Sequence, residues 1–391
     1  MIEFDKAFEI VMDCARRLGT EQVDITNALN RILAQDVVSD IEMPPFDKSA
    51  MDGYACRRSD LAKELTIVET IPAGMLPKET VGPNQCSKIM TGAVLPKGAD
   101  CVIMVEHTDQ TSQSTIRFTG SETADNICLK GEDIKTGAIM LNSGTLIKPE
   151  HIAVLASVGC VKPLVSCRPR VGVIATGNEL VEPQIIPNSS QIRNSNSYQL
   201  TAQLTEAGAI ATYYGIAADT ENSIDSTLKK AIAQSDVVLL AGGVSMGDFD
   251  LVPGVLKENG IELLFEKVAI KPGKPTVFGI SDEVFCFGLP GNPVSTFVIF
   301  EILVKPFLYK MAGYDFKPVI IPMPLAKKIS RRRTERISWL PVIFTDNGTV
   351  TPVEYHGSAH INALCGADGL ISIPIGIDEI KEGTTVNVRQ I

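Results

Sequence analysis

Aromatic residues are scarce, at 6% of the 391-residue chain, with a single tryptophan, Trp339. A surface of stacked aromatics for single-stranded nucleic acid is therefore not expected. Histidine is rarer still, with four residues at positions 107, 151, 356 and 360. None of the nine cysteines (14, 56, 86, 101, 128, 160, 167, 286 and 365) forms a C-x-x-C pair. Together these absences argue against a Cys/His zinc site. The odd count, the scatter and apolar neighbours such as Cys101-Val-Ile-Met-Val105 predict mostly buried free thiols in a reducing compartment. No run of 18 apolar residues occurs, and Met1-Ile-Glu-Phe-Asp5 carries no signal-peptide pattern. No membrane span is expected, and the expected location is the cytoplasm. Positive charge is also in deficit, with a net charge of -10. That disfavours nonspecific contact with nucleic acid or anionic membranes. An anionic ligand would need local cations. One cation about 4 Å from a phosphate contributes roughly 4 kcal/mol at a surface-like dielectric, while carboxylates beyond roughly 10 Å are screened.

What remains is globular composition, 45% hydrophobic and 21% charged, with length for two to four domains. Phe4, Ala7, Phe8, Val11, Met12 and Ala15 show helical spacing over 4–19. A second helix is expected from a cap at Asp24 or Thr26 through Leu33, then an extended segment to Pro44-Pro45. Residues 45–133 read as β-rich, with apolar runs at Leu65–Val68, Cys101–Val105 and Thr115–Phe118 between turn clusters. Helix returns around Pro149–Ser157. From Arg170, strands (Val171–Ala175, Ala211–Ile216, Asp236–Ala241, Phe285–Leu289) alternate with helices near Asn196–Ala207, Ser223–Gln234 and from Pro293 to about Met311. That alternation predicts a mostly parallel sheet covered on both faces. After Pro318, short strands at Pro341–Phe344, Thr349–Val353, Leu370–Ile373 and Thr385–Val388 suggest a small β-barrel or sandwich.

Ligands of open parallel sheets bind beyond the carboxyl ends of the strands. Three such loops stand out: Thr176-Gly-Asn-Glu-Leu180, Gly242-Gly-Val-Ser-Met-Gly-Asp-Phe-Asp250 and Leu289-Pro-Gly-Asn-Pro293. Glycines allow backbone N–H groups to approach and surround an anion. Any one loop reads equally as a tight turn; three at one sheet edge point to a phosphate-bearing ligand. Ile270-Lys-Pro-Gly-Lys-Pro275 brings Lys271 and Lys274 to one stiff turn, with Lys267 upstream, either a second anion site or a solvated basic turn. Asp248, Asp250, Glu179 and Asp219 are placed to hold Mg²⁺, to move a proton, or simply to cap helices. In the first half, Pro44–Ala55, with Asp47 and Asp52, and Thr91–Glu106 read by composition as turns and core strand, without chemistry of their own.

These segments resemble the molybdopterin molybdenumtransferase family, the MoeA and gephyrin E-domain type. The resemblance rests on Pro44–Arg57 (PPFDKSAMDGYACR), Thr91–Glu106, Gly131–Ile134 (GEDI), Thr176–Leu180 (TGNEL), Gly242–Asp250 (GGVSMGDFD), Ile270–Pro275 (IKPGKP), Leu289–Ser295 (LPGNPVS) and the stretch from Gly357 to Pro374. It implies insertion of molybdate into adenylylated molybdopterin with release of AMP, the final step of molybdenum cofactor biosynthesis, aided by Mg²⁺. The implied fold is multidomain, α/β plus β. An extended helical domain (1–43 and 134–168) carries an inserted β-rich domain (44–133), followed by a doubly wound α/β domain (169–315) and a C-terminal β-barrel domain (316–391). A homodimer with an inter-subunit active site is implied, and a contact with the separate adenylylating enzyme.

Residue roles follow from the same resemblance. Asp250, Lys271, Lys274 and Asp52 would be catalytic, with Asp52, Thr91 and Asp133 facing the partner's α/β loops. Thr176, Gly177, Asn178, Gly242, Gly243, Ser245, Gly247, Pro290 and Pro293 would surround the nucleotide-bearing substrate. Lys267, Lys271, Pro272, Gly273, Lys274, Pro275, Arg331 and Ser358 would receive molybdate, and Glu179, Asp219 and Asp250 the metal. The chain departs from the family at Cys128, where Arg is usual, and near Thr334, where an aromatic is usual. An adenylyltransferase or a non-catalytic scaffold are the competing readings. The first 133 residues and the barrel argue against the former; Asp250, Lys271 and Lys274 argue against the latter.

Overall fold

The computed structural model describes residues 1–244, 251–354, 357 and 359–391. Helix α1 (Phe4–Cys14) buries Ala7, Val11 and Met12, as its spacing predicts. It stops short of residue 19 because the following chain is held elsewhere. Ala15 is extended, Leu18 N–H donates to the Met311 carbonyl at 3.0 Å, and the Arg16 guanidinium sits 4.5 Å over the Phe285 ring. The helix expected from Asp24 to Leu33 is not formed. Asp24 does cap, accepting the Thr26 N–H at 3.0 Å, but only a 3-10 turn, Ile25–Asn27, follows. Beyond it the backbone pairs across the chain instead. Asn30 and Leu33 N–H donate to the carbonyls of Ile147 and Thr145, which removes the i to i−4 partners a helix needs. Thr20–Gln22 pairs with Leu164–Ser166 and Val37–Val38 with Ile139–Leu141. Helix α2 (Pro149–Ser157) closes this unit over a core of Leu33, Val37, Leu141, Ile147, Leu155 and Val165.

The intervening segment forms a six-stranded sheet in the order Cys101–Met104, Gly53–Cys56, Gln85–Ile89, Glu64–Ile71, Thr115–Phe118 and Thr108–Gln110. Its central strands are buried on both faces. Tyr54, Cys56, Cys86 and Cys101 pack on one side, Ala55, Ile89 and Val102 on the other. Of the nine free cysteines, only 56, 86, 101 and 286 are buried and Cys365 is exposed, so the expectation of mostly buried thiols fails. The exceptions, such as Cys14 at the end of α1 and Cys167 just after the strand Leu164–Ser166, lie at element ends, where packing is incomplete.

The alternating region forms a second six-stranded sheet, ordered Ile210–Ala217, Arg170–Thr176, Val237–Ala241, Phe285–Leu289, Val277–Ile280 and Glu262–Phe265. The first four strands are parallel, Val277–Ile280 runs antiparallel to them, and Glu262–Phe265 pairs antiparallel to Val277–Ile280. On one face lie α1, α3 (Asn196–Glu206) and a continuous helical run from Pro293 to Met311, over Val173, Leu239 and Phe287. On the other lie α4 (Glu221–Ile232) and α5 (Val252–Glu258), over Ile174, Leu240 and Cys286. The sheet is thus covered on both faces, each fully buried large apolar side chain contributing about 1.5–3 kcal/mol. The Pro293–Met311 run contains a π-type segment at Phe300–Val304. There Glu301, 4% exposed, accepts from Lys305 Nζ at 3.0 Å and from Gln203 Nε2 of α3 at 2.8 Å.

The C-terminal sheet runs Ile270–Lys271, Ile337–Phe344, Gly369–Ile373, Thr385–Gln390 and Ile320–Pro324, with Val350–Pro352 also beside Ile337–Phe344. A bridge between Leu325 and Val350 brings the far edge back toward the start, so the sheet curls on itself. Its first strand belongs to the lysine turn, which is thereby tied to this sheet. Among the described residues, no helix is long and apolar enough to cross a membrane.

Candidate functional site

The strand-end loops converge. Thr176, Gly177 and Glu179, then Gly242 and Gly243, then Pro290 and Pro293 line one cleft of about 590 Å³, together with Asp219, Pro275 and, from the C-terminal region, Ala359 and Ile361. The approach is close because Gly242 has φ +104° and no side chain. A Cβ there would land on the Thr176 carbonyl oxygen and 2.9 Å from Thr176 Oγ1. L-residues rarely adopt that backbone conformation.

The expectation that these glycines surround an anion with their N–H groups is not met at two positions. Gly242 N–H donates to the Leu289 carbonyl at 3.0 Å, and Gly177 N–H to the Ala217 carbonyl at 3.3 Å. At these positions glycine serves loop-to-loop contact. Asn178 is likewise turned away from the cleft. Its N–H donates to Asp219 Oδ2 at 2.9 Å while its Oδ1 accepts the Asp219 N–H at 3.1 Å. That reciprocal pair clamps the Thr176–Leu180 loop to the turn after Ile210–Ala217. Thr176 is 3% exposed and its Oγ1 has no hydrogen-bond partner among the described residues. A buried hydroxyl without a partner is an exception to the usual pairing of buried polar groups.

In the lysine turn, Lys271 and Lys274 are exposed while Pro272 and Gly273 are buried. Gly273 has φ +105°, and a Cβ would fall 2.6 Å from Ile299 Cδ1. Thr276 Oγ1 donates to the Gly273 carbonyl at 2.7 Å, and Val268 N–H to the Lys274 carbonyl at 3.0 Å. The turn is therefore rigid, and Pro275 joins it to the cleft. Lys267, just upstream, is half-buried.

Arg331 is bonded within its own sheet. Its Nε donates to the Ile377 carbonyl at 2.6 Å, and its Nη1 to the Arg336 carbonyl at 2.8 Å and Ser338 Oγ at 2.7 Å; Nη2 donates to the Pro374 carbonyl. Four of its five N–H donors brace its own sheet, leaving little for an oxyanion. Burial also lowers its pKa. The arginine of this stretch that reaches the lysine turn is Arg336, whose Nη1 donates to the Ile270 carbonyl at 3.3 Å.

Asp52 and Thr91 do meet. Asp52 Oδ1 accepts the Thr91 N–H at 2.6 Å and the Thr91 hydroxyl at 2.7 Å, and these bonds hold the carboxyl below its ordinary range. Asp133 is exposed, with its N–H on the Met43 carbonyl at 3.0 Å. None of the three lines this chain's own cleft. Ser245, Gly247, Asp250 and Ser358, like Asp248, lie outside the described residues. Among the described residues no group of three acids, histidines or cysteines is gathered for a metal.

One wall of the cleft was missed from sequence: Ile192, Arg193, Asn194, Ser195 and Asn196. Ile192–Arg193 forms a short parallel ladder with Leu180–Val181, continuing the Thr176–Leu180 loop. The available signal was the cap-rich run Asn194-Ser-Asn-Ser197 ahead of α3. Asn194 Oδ1 indeed accepts the Ser197 N–H at 3.2 Å.

Fold and cleft define a multidomain protein whose α/β unit carries a cleft where its parallel strands end. Its family follows from comparison with known proteins. Residues 2–159 match the MoeA N-terminal region (domain I and II), residues 172–310 a "Probable molybdopterin binding domain", and residues 323–391 the MoeA C-terminal region (domain IV). A molybdopterin molybdenumtransferase of Staphylococcus aureus (strain Mu50 / ATCC 700699) is 36% identical, over 99% of this chain and 95% of its own length. That of Bacillus subtilis (strain 168) is 33% identical over 99% and 93%. The crystal structure of the molybdopterin biosynthesis moeA protein from Pyrococcus horikoshii OT3 is 31% identical, covers 100% of both chains and superposes with a TM-score of 0.86. The chain belongs to the MoeA-type molybdopterin molybdenumtransferase family and is a transferase of molybdenum cofactor biosynthesis.

Proposed function

We propose that the chain inserts molybdate into adenylylated molybdopterin and releases AMP. The observation that carries this reading is the side-by-side placement of two sites: the strand-end cleft and, joined to it through Pro275, the rigid Lys271–Lys274 turn. A phosphate-bearing substrate and a second oxyanion need such adjacency. In this reading Gly242 and Gly243 contact the pyrophosphate, and Asp250 assists attack of water on the phosphoanhydride, which breaks the P–O–P bond to leave AMP and the phosphate of molybdopterin. Lys271 and Lys274, with Lys267 nearby, receive molybdate, and Arg336 takes the part first given to Arg331. Ser358 completes that pocket.

The residues suit a divalent cation. Glu179 and Asp219 face the same cleft as the unpartnered Thr176 hydroxyl, and Mg²⁺ is commonly bound by one or two carboxylates plus substrate phosphates. Glu179, Asp219 and Asp250 would hold it; when bound it neutralises phosphate charge. The exposed Asp52–Thr91 pair and Asp133 serve the cleft of a second copy, which makes the working form a homodimer. The division at 43/44, 133/134, 168/169 and 315/316, the curled C-terminal sheet as a barrel, a cytoplasmic location and a contact with the adenylylating enzyme belong to the same reading.

Lys271→Ala tests it. Removing one charge-assisted contact to an oxyanion should raise the molybdate concentration for half-saturation about 10- to 100-fold, while AMP affinity stays within about twofold. Equal loss of both would contradict a separate molybdate site.

A further inference from the structure

We infer that Arg193 binds a phosphate of the substrate in the strand-end cleft, an assignment that rests on the function proposed above. Among the described residues lining the cleft, Arg193 is the one cation, set against the carboxylates of Glu179 and Asp219. The backbone offers less positive charge than the glycine count suggests, because the N–H groups of Gly177, Gly242 and Asn178 are committed within the protein. A phosphate beside two carboxylates therefore needs a side-chain cation, and Arg193 is the one in place. Thr176 lines the same cleft, and its buried hydroxyl has no partner among the described residues.

Arg193 is also held for the task. On either side of it, Ile192 N–H donates to the Glu179 carbonyl and Asn194 N–H to the Val181 carbonyl, both at 2.8 Å. Its Nε donates to the Ile185 carbonyl at 3.1 Å, which leaves the Nη1/Nη2 fork for bidentate contact with phosphate oxygens. Next to it, Asn194, 2% exposed, donates to the Tyr213 hydroxyl at 2.7 Å. The hydroxyls of Tyr213 and Tyr198 both donate to Glu182, at 2.8 and 3.0 Å. The first turn of α3 follows directly, and the partial positive charge of its N-terminus adds to that of the guanidinium.

The test is calorimetric titration of the full chain with AMP and, separately, with adenosine. Arg193→Ala and Arg193→Gln should each weaken AMP binding about 10- to 50-fold and leave adenosine within about twofold. Arg193→Lys should recover part of the loss, since it keeps the charge without the fork. Unchanged AMP affinity in both neutral variants would overturn the assignment, as would equal loss of AMP and adenosine. A wild-type chain that binds neither compound would sink the reading of the cleft itself, and this assignment with it.

Discussion

Gly242→Ala separates two explanations of the glycine loops. If the glycine were there to present its N–H to a phosphate, alanine would retain that N–H and be tolerated. In the structure the N–H is already bonded to Leu289, φ is +104°, and a Cβ would collide with the Thr176 carbonyl. Forcing an L-residue into positive φ costs roughly 1–2 kcal/mol, and overpacking against fixed backbone about 1–3 kcal/mol more. A total near 3 kcal/mol should lower Tm by about 6–12 °C for a domain of this size. The Thr176 and Gly242 loops would have to part, and a displacement of about 1 Å at reacting groups can cost on the order of 100-fold in rate. Differential scanning calorimetry beside a turnover assay reads both. A Tm within 1–2 °C of wild type with normal turnover, taking "normal" as within about twofold, would refute the packing argument.

Two further outcomes follow from contacts elsewhere. Glu301→Ala leaves Lys305 and Gln203 without their buried acceptor and should cost about 3–5 kcal/mol in urea unfolding. Replacing Glu301 and Lys305 together by leucine should recover much of that, and a loss below about 1 kcal/mol for Glu301→Ala would contradict the network's role. The Thr91 amide should report on Asp52. Because the folded carboxyl is depressed, the ordering it provides is present above the ordinary carboxylate value of about 3.9 and is lost as pH falls through the lower folded value. An NMR titration midpoint for Thr91 at or above that ordinary value would show the pair is not formed.

Much of this was legible in the chain because the signals were local. Phe285–Leu289 and Pro149–Ser157 form as read, since an uninterrupted apolar run and a proline at a helix start need no distant partner to be recognised. Of the two candidate caps, Asp24 and Thr26, Asp24 does cap, but a cap does not say how far a helix continues. The next residues were claimed by Ile147 and Thr145, more than 100 positions away. The Ile192–Asn196 wall was invisible for a similar reason: a two-residue strand has no periodicity, and its place is set by hydrogen bonds to Glu179 and Val181. Likewise, a run of arginines carries no record of which guanidinium bonds within its own sheet, as Arg331 does.

The central claim is most directly tested by mixing the purified chain with adenylylated molybdopterin, Mg²⁺ and molybdate, and following free AMP and molybdenum bound to the pterin. The account requires AMP release that depends on molybdate, saturates with it, and matches metal insertion one for one. Molybdenum insertion without AMP release, or AMP release indifferent to molybdate, would contradict it.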